Sequence, residues 1–316
     1  MEPRFNVTYI ILGGYAELQR YRYLYFFIMV TAYLLIIFWN TCIVCLIIVH
    51  KNLHEPMYVF IAALLINSIF YSTNIYPKLL IDFLSKRQII FYQACLFQIF
   101  AFYSLSASEF LLLAAMAYDR YVSICKPLQY PSIMTRKAVS ALLVLAWLIP
   151  ACHVSVSVIL SSNRRLCKNT LNGIYCNNAA HGLYCVSSAA LSVYGLIVLL
   201  NIGIFPMLFI VFTYTKIIII AYKSCREARK KAVQTCLPHL LVLLNYSILI
   251  TYDVIIVQLG SDIPRTVKLL MSLQIITFHP LCNPLIYGLK LKTISSHLKT
   301  LFSQIKWSSL TEFFQN

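Results

Sequence analysis

Charge is scarce in this chain of 316 residues: Asp, Glu, Lys and Arg together make up 11% of it, where ordinary globular domains carry about a quarter. So little charge cannot coat a water-soluble domain of this size. Acids are scarcer still, 10 against 26 Lys and Arg, for a formal net charge of +16. With 8 Gly and 11 Pro, the chain is neither collagenous nor of low complexity. Catalytic patterns are missing as well: there is no HExxH, no phosphate-cradling glycine loop, no GxSxG and no outward cluster of Ser, His and Asp. No internal repeat and no long Pro/Gly/Ser linker is visible, so the chain reads as one domain. Its first 22 residues lack an apolar core followed by a small-residue cleavage site, so no removed signal peptide is expected.

What is abundant is apolar length. Hydrophobic residues make up 60% of the chain, and its mean hydropathy is +0.76. At about 40 residues per crossing and connection, this length accommodates seven or eight membrane spans. Seven runs are long enough: Leu24–Val49, Tyr58–Leu80, Cys95–Ser123, Ala138–Leu160, Ser188–Ile220, Ala232–Leu259 and Leu269–Leu289. The fold class is all-α membrane, a seven-transmembrane-helix bundle. Beyond Lys290, the residues Leu298, Leu301, Phe302 and Ile305 interleave with Lys292, Lys299 and Lys306, a short amphipathic C-terminal helix lying on the membrane surface. The divisions are an N-terminus over 1–23, the seven-helix body over 24–289 and a tail over 290–316.

Seven crossings put the termini on opposite sides. Alternate connections divide the 26 Lys and Arg fifteen to eleven, with the dense block Arg226–Lys231 and the basic tail in the larger set. The positive-inside rule makes that side cytoplasmic and the N-terminus extracellular. The basic charge therefore reads as topology and attraction to anionic lipid, not as a nucleic-acid surface. Asn6-Val7-Thr8 is a glycosylation sequon on the outer side, usable there at Asn6. Of the 11 cysteines, four fall outside: Cys95 at the head of the third span, and Cys167, Cys176 and Cys185 in one loop. An oxidising compartment favours disulfides over a metal, with three pairings open. No metal and no cofactor is expected.

Polar residues inside spans each need a reason, since a charge there costs about 2.5–3.5 kcal/mol on insertion scales. Cys95 and Arg120 are separated by roughly 37 Å at 1.5 Å per residue, so they mark opposite membrane faces with Glu109 between them. Glu109 reads either as an acid that packs the bundle or as a polar switch. Asp119-Arg120 reads either as a surface pair or as a latch that a second protein competes for. Stepping by 100° per residue puts Phe102, Ser106 and Glu109 on one stripe of the third helix, with Tyr103 beside it. Tyr246, Leu249, Ile250 and Asp253 form a comparable stripe on the sixth, and Val198 and Ile202, one turn apart, share a face of the fifth. Such stripes are helix packing or a ligand pocket. His239 and His279 lie in separate spans without a metal-like partner at i+4.

Motifs along the chain then resemble one family in order. Met116-Ala117-Tyr118-Asp119-Arg120-Tyr121-Val122-Ser123-Ile124-Cys125 is similar to the MAYDRYVAIC signature of odorant (olfactory) receptors, with Ser123 for the usual Ala. Asn40 fits the first-helix Asn, Leu53-His54-Glu55-Pro56-Met57-Tyr58 resembles LHxPMY, and Lys231-Ala232-Val233-Gln234-Thr235-Cys236-Leu237-Pro238-His239-Leu240 resembles KAxxTCxxHL. Pro280-Leu281-Cys282-Asn283-Pro284-Leu285-Ile286-Tyr287 resembles PxLNPxIY. Trp147, Pro206 and Tyr214 fit the wider rhodopsin-like class. The text around Pro56–Leu84 resembles fish odorant receptors more than mammalian ones, which points to a water-borne ligand.

The resemblance implies a plasma-membrane receptor of sensory cilia that binds a small odorant and activates a stimulatory heterotrimeric G protein. It implies bridges Cys95–Cys176 and Cys167–Cys185. It implies an outer-half pocket of Phe102, Tyr103, Ser106, Val198, Ile202, Tyr246, Ile250 and Asp253. A coupling set of Asp119, Arg120, Tyr214, His239, Asn283, Pro284, Tyr287 and Glu109 also follows from it. The family's second-helix acid is replaced here by Asn67-Ser68, so a sodium site shared with Glu109 lacks its second carboxylate. Rival readings are a rhodopsin-like receptor of another subfamily and a small-solute transporter. No lysine between Leu269 and Leu289 is available to hold retinal, which argues against an opsin.

Overall fold

The computed structural model describes residues 8–15, 18–186, 188–223, 230, 236–249, 264–300 and 303. The long helices are α1 (Leu18–Val49), α2 (Pro56–Leu84), α3 (Tyr92–Cys125) and α4 (Arg136–Ser162). After them come α5 (Ala189–Lys223), α6 (Cys236–Leu249 in its described part) and α7 (Arg265–Lys290). They form a seven-helix membrane bundle. Each of the six fully described helices is long and apolar enough to cross a bilayer. A further helical stretch at 292–300 follows α7.

Helix ends follow local chemistry. Pro56 opens α2, where a missing N–H costs nothing. Thr135 caps α4 by accepting from the Ala138 N–H, and Ser188 caps α5 by accepting from Leu191. Within α5, residues Leu199–Ile204 widen into a π turn in which the Phe205 N–H bonds the Leu200 carbonyl. The cause is Pro206, whose ring nitrogen cannot donate to the preceding turn.

Lipid is as apolar as leucine, so close packing and interhelical polar contacts hold such a bundle together. The helices α2 and α3 are the most enclosed: 61% of the most apolar stretch of each is buried, against 17% for α4 and α5, which turn Leu148, Ile159, Leu196, Leu208 and Ile218 outward. Asn67 ties three helices together. Its Nδ2 donates to the Leu105 carbonyl at 2.9 Å, and its Oδ1 accepts from Trp147 Nε1 at 3.2 Å. Asn40 Nδ2 donates to the Pro280 carbonyl at 3.0 Å, joining α1 to α7.

Sequence patterning indicated no strand, yet three short ones close one end of the bundle. They are β1 (Tyr9–Leu12), β2 (Ile89–Phe91) and β3 (Thr170–Leu171), in the order β2-β1-β3. β1 runs antiparallel to β2 and parallel to β3. Where β1 leaves the sheet, a Cβ on Gly14 would lie 2.5 Å from the Gly173 backbone, so only glycine permits that approach.

Candidate functional site: a layered polar axis through the bundle

At the sheet end, two disulfides fix the long α4–α5 connection, Cys95–Cys176 to the head of α3 and Cys167–Cys185 within the loop. Gln98 reinforces the first, accepting from the Cys176 N–H at 2.8 Å while its amide donates to the Asn74 carbonyl. Tyr103 accepts from the Asn178 N–H at 2.9 Å. Tyr15 donates to the Ile174 carbonyl at 3.2 Å and to Asp82, which is buried and also paired with Lys78. Burial, followed by the Asp82 charge, raises the Tyr15 hydroxyl well above the usual phenol range, so it remains a donor here.

One layer deeper, the third-helix stripe divides between two neighbours. Phe102 is 1% exposed and packs on Tyr71 of α2 and Tyr175 of the loop, both at 5.3 Å. Ser106 instead meets α6, its carbonyl accepting from the Tyr246 hydroxyl at 2.6 Å. The Tyr246 ring lies 4.8 Å from Phe110 and 4.5 Å from His279. Ser106 Oγ is buried and has no hydrogen-bond partner among the described residues. Ile202 is 3% exposed while Val198 is half-buried. Ile202 lies inside the π turn and Val198 just before it, so the regular helical step is broken and the shared face expected from spacing does not carry equal burial.

The middle layer surrounds Glu109, which is fully buried. Asn283 Nδ2 donates to Glu109 Oε1 and to Ser68 Oγ, each at 3.0 Å. His279 Nε2 lies in ion-pair contact with Glu109 Oε2 at 2.6 Å, off the line of a regular hydrogen bond. Ser68, of the Asn67-Ser68 pair that stands in place of the second-helix acid, thus contributes a hydroxyl to this layer.

At the far end, Arg120 Nε donates to Asp119 Oδ2 at 2.9 Å, and Tyr130 donates to Asp119 Oδ1 at 2.8 Å. Asp119 is fully buried and Arg120 is 8% exposed. Burial and then the Asp119 charge raise the Tyr130 hydroxyl, keeping it a donor. Tyr287 meets His239 Nδ1 at 3.3 Å and Met116 Sδ at 4.0 Å. A recess lined by Leu237, Pro238, Lys290 and Lys292 opens beside them.

Residues 29–305 match the family model described as "Olfactory receptor". The chain belongs to the olfactory receptor family. It is 31% identical to olfactory receptor 4B1 of Homo sapiens over 303 residues, 95% of this chain and 96% of that one. It is 33% identical to the olfactory receptor-like protein COR2 of Gallus gallus over 311 residues, 95% and 96% of the two chains. Olfactory receptor 2AT4 of Homo sapiens is 32% identical over 286 residues, 88% of each. The receptor is therefore a multi-pass membrane protein of the odorant-sensing G-protein-coupled class, and not an enzyme.

Within the receptor, the residues read from sequence fall into three places. Phe102 belongs to the α2–loop cluster, whereas Ser106, Tyr246 and Ile202 lie on the α3–α5–α6 side. Ile250, Asp253 and Asn6 lie outside the described residues, as do Lys231–Thr235 of the sixth-helix motif. Tyr214 is buried, with no hydrogen-bond partner for its hydroxyl among the described residues. Pro284 lies inside α7.

Three partners were missed: Tyr130 on Asp119, Ser68 on Asn283, and His279 on Glu109. The sequence does carry a signal for His279. It stands four residues before Asn283, on the same helical face, so an inward-facing Asn283 implies an inward-facing imidazole.

Proposed function

We propose that the receptor binds a small odorant in the half of the bundle nearest the disulfides and activates a stimulatory heterotrimeric G protein from the opposite end. The observation that carries this is the separation of two unlike ends on one helix. Toward the disulfide end, the Ser106 carbonyl of α3 accepts from Tyr246 of α6, and the α4–α5 loop is strapped to the head of α3. At its other end lies the Arg120–Asp119–Tyr130 latch. Ser106 and Arg120 are 14 residues apart, roughly 21 Å. No small ligand spans that distance, so stimulus and response must communicate through the helices.

In this reading the disulfide end faces outward, the N-terminus is extracellular with Asn6 glycosylated, and the receptor resides in sensory cilia. The proposed wall is apolar and aromatic, made of Val198, Ile202 and Tyr246 together with Ile250, which lies outside the described residues. It gains affinity from buried area, while Ser106 orients one polar group. Phe102 and Tyr103 support the loop that roofs the pocket. Asp253, if it faces inward, favours an odorant bearing an ammonium group. In the signalling arrangement Arg120 leaves Asp119 and meets the G protein beside Tyr214 and Tyr287, with His239, Asn283 and Pro284 transmitting the movement of α7.

The test is a screen of small volatile and water-soluble odorants on cells expressing this chain, with cyclic AMP as readout. A concentration-dependent rise that is absent from mock-transfected cells supports the reading. Odorant-driven solute flux without cyclic AMP would replace it with a transporter.

A further inference from the structure

We propose that the three-stranded sheet seats its outward face on phospholipid, at the headgroup level of the bilayer beside α2 and α3. Side chains of a strand alternate between its two faces, and here the faces divide sharply. Ile10, Leu12, Ile90 and Leu171 point inward and are at most 6% exposed, clustering with Cys95, Cys176 and Leu183 around the first disulfide. Tyr9, Ile11, Ile89 and Phe91 point the other way and are between 37% and 69% exposed. The register sets Tyr9 opposite Phe91 and Ile11 opposite Ile89, so the four form one contiguous patch. Single apolar side chains on a surface need no explanation, but a contiguous set does.

Three observations favour lipid as its cover. The first is height: α2 has 29 residues, roughly 43 Å at 1.5 Å per residue, against a hydrocarbon core of about 30 Å. Its end therefore reaches the headgroup layer, and β2 begins at Ile89, just past Leu84. The second is continuity. Ile81 and Leu84 at this end of α2, and Phe97 near the start of α3, are exposed apolar residues on the two helices that β2 connects. The third is the rim. Lys86 and Arg87 precede β2 and Lys168 precedes β3, all three exposed, and the connections 85–91 and 163–188 contain no acid. Aromatic rings beside Lys and Arg suit a membrane interface, where the rings lie among headgroups and the cations meet phosphate.

Other occupants fit less well. The strands have 4, 3 and 2 residues, so the face measures roughly 13 Å by 10 Å. A stable protein interface buries about 1,000 Å² or more. A second copy would also bring its own Lys86, Arg87 and Lys168 against these. A small ligand needs a concavity, which a flat sheet face does not offer. Lipid contact needs neither a large area nor a pocket. Since the inward face clusters around the Cys95–Cys176 strap, the bilayer then helps to hold the α4–α5 loop in place. The inference requires only that the bundle spans a membrane, and does not depend on which stimulus the receptor binds.

The experiment adds a tryptophan to the patch. Full-length Ile89→Trp and Phe91→Trp receptors are placed one per lipid nanodisc, and the emission of the wild type, from its 3 tryptophans, is subtracted. The quenchers are iodide in the buffer and phosphatidylcholine brominated either near the ester end or near the middle of its acyl chains. The expected result is loss of most of the added emission in the lipid brominated near the ester. A smaller loss is expected in the other lipid, and almost none with iodide. Ile89→Trp carries the test if Phe91→Trp, at the start of α3, does not fold. Quenching by iodide alone would overturn the proposal, and loss of that quenching in discs holding two receptors would assign the face to a second copy. Quenching by neither would mean that another part of this chain covers the face, and would overturn it as well.

Discussion

The Tyr246 hydroxyl donates to the Ser106 carbonyl at 2.6 Å, a side chain of α6 bound to the backbone of α3 at the level where the pocket is proposed. A helical carbonyl normally receives its own i+4 amide, so this second bond uses the remaining lone pair and requires α6 to lie close. A ligand that pushes against Tyr246 therefore acts on the position of α6 directly. Tyr246→Phe keeps the ring contacts with Phe110 and His279 and removes only the donor. The expected cost is about 0.5–1.5 kcal/mol of stability, accompanied by higher agonist-free cyclic AMP. A lowered melting midpoint with unchanged basal signalling would make the bond structural only.

Opposite signs are expected on the two sides of Asp119. Arg120→Ala removes the group proposed to meet the G protein, and the odorant response should vanish. Odorant affinity should stay within a factor of about two, ~0.4 kcal/mol, because the ligand is remote. Tyr130→Phe removes a donor that holds Asp119 at 2.8 Å and should raise basal cyclic AMP. The measurement is cyclic AMP normalised to surface receptor, with binding of the most active odorant measured alongside. An Arg120→Ala receptor that responds like wild type would remove the latch from the mechanism.

The two disulfides should differ in weight. Cys95–Cys176 joins positions 81 apart, whereas Cys167–Cys185 closes a separation of 18 within one loop. Opening the first frees the whole loop from α3, a loss on the order of 2–4 kcal/mol. Cys95→Ser and Cys176→Ser should therefore reduce surface expression equally, and the double variant no further. Peptide mapping without reductant should recover the two linkages separately. A Cys95–Cys167 or Cys95–Cys185 peptide would contradict the pairing.

How much of this was legible in the chain depends on range. The spans were, because lipid demands about 20 apolar residues per crossing and the runs announce themselves. The run Tyr58–Leu80 became Pro56–Leu84, and Leu269–Leu289 became Arg265–Lys290, with polar flanks extending each helix past its apolar core. β1 was not legible, since four residues, Tyr9–Leu12, become a strand only through partners at Ile89–Phe91 and Thr170–Leu171. The π turn was half-legible: Pro206 signals a disturbed turn without stating which way it relaxes. The Glu109–His279 contact joins residues 170 positions apart and rests on tertiary packing alone. Only the i+4 relation to Asn283 hints at it.

The wall of the proposed pocket should separate shape from polarity. Ile202 is buried within the π turn, and truncating it removes apolar contact without touching a side-chain hydrogen bond. Ile202→Ala should therefore weaken every active odorant, polar or not, by about tenfold, within the ~1–3 kcal/mol that small changes in an apolar pocket produce. Ser106→Ala leaves the apolar area almost unchanged and removes a buried hydroxyl that has no partner among the described residues. It should weaken only odorants carrying a hydrogen-bonding group, and leave or slightly improve affinity for those without one. Val198, half-buried and just before the π turn, should matter less than Ile202 despite the regular spacing of the two. Dose–response curves for one alcohol or aldehyde agonist and its nearest hydrocarbon analogue, across the three variants, decide the matter. Equal losses for both ligands in Ser106→Ala would place that hydroxyl in helix packing, and an Ile202→Ala receptor as sensitive as wild type would move the pocket away from α5.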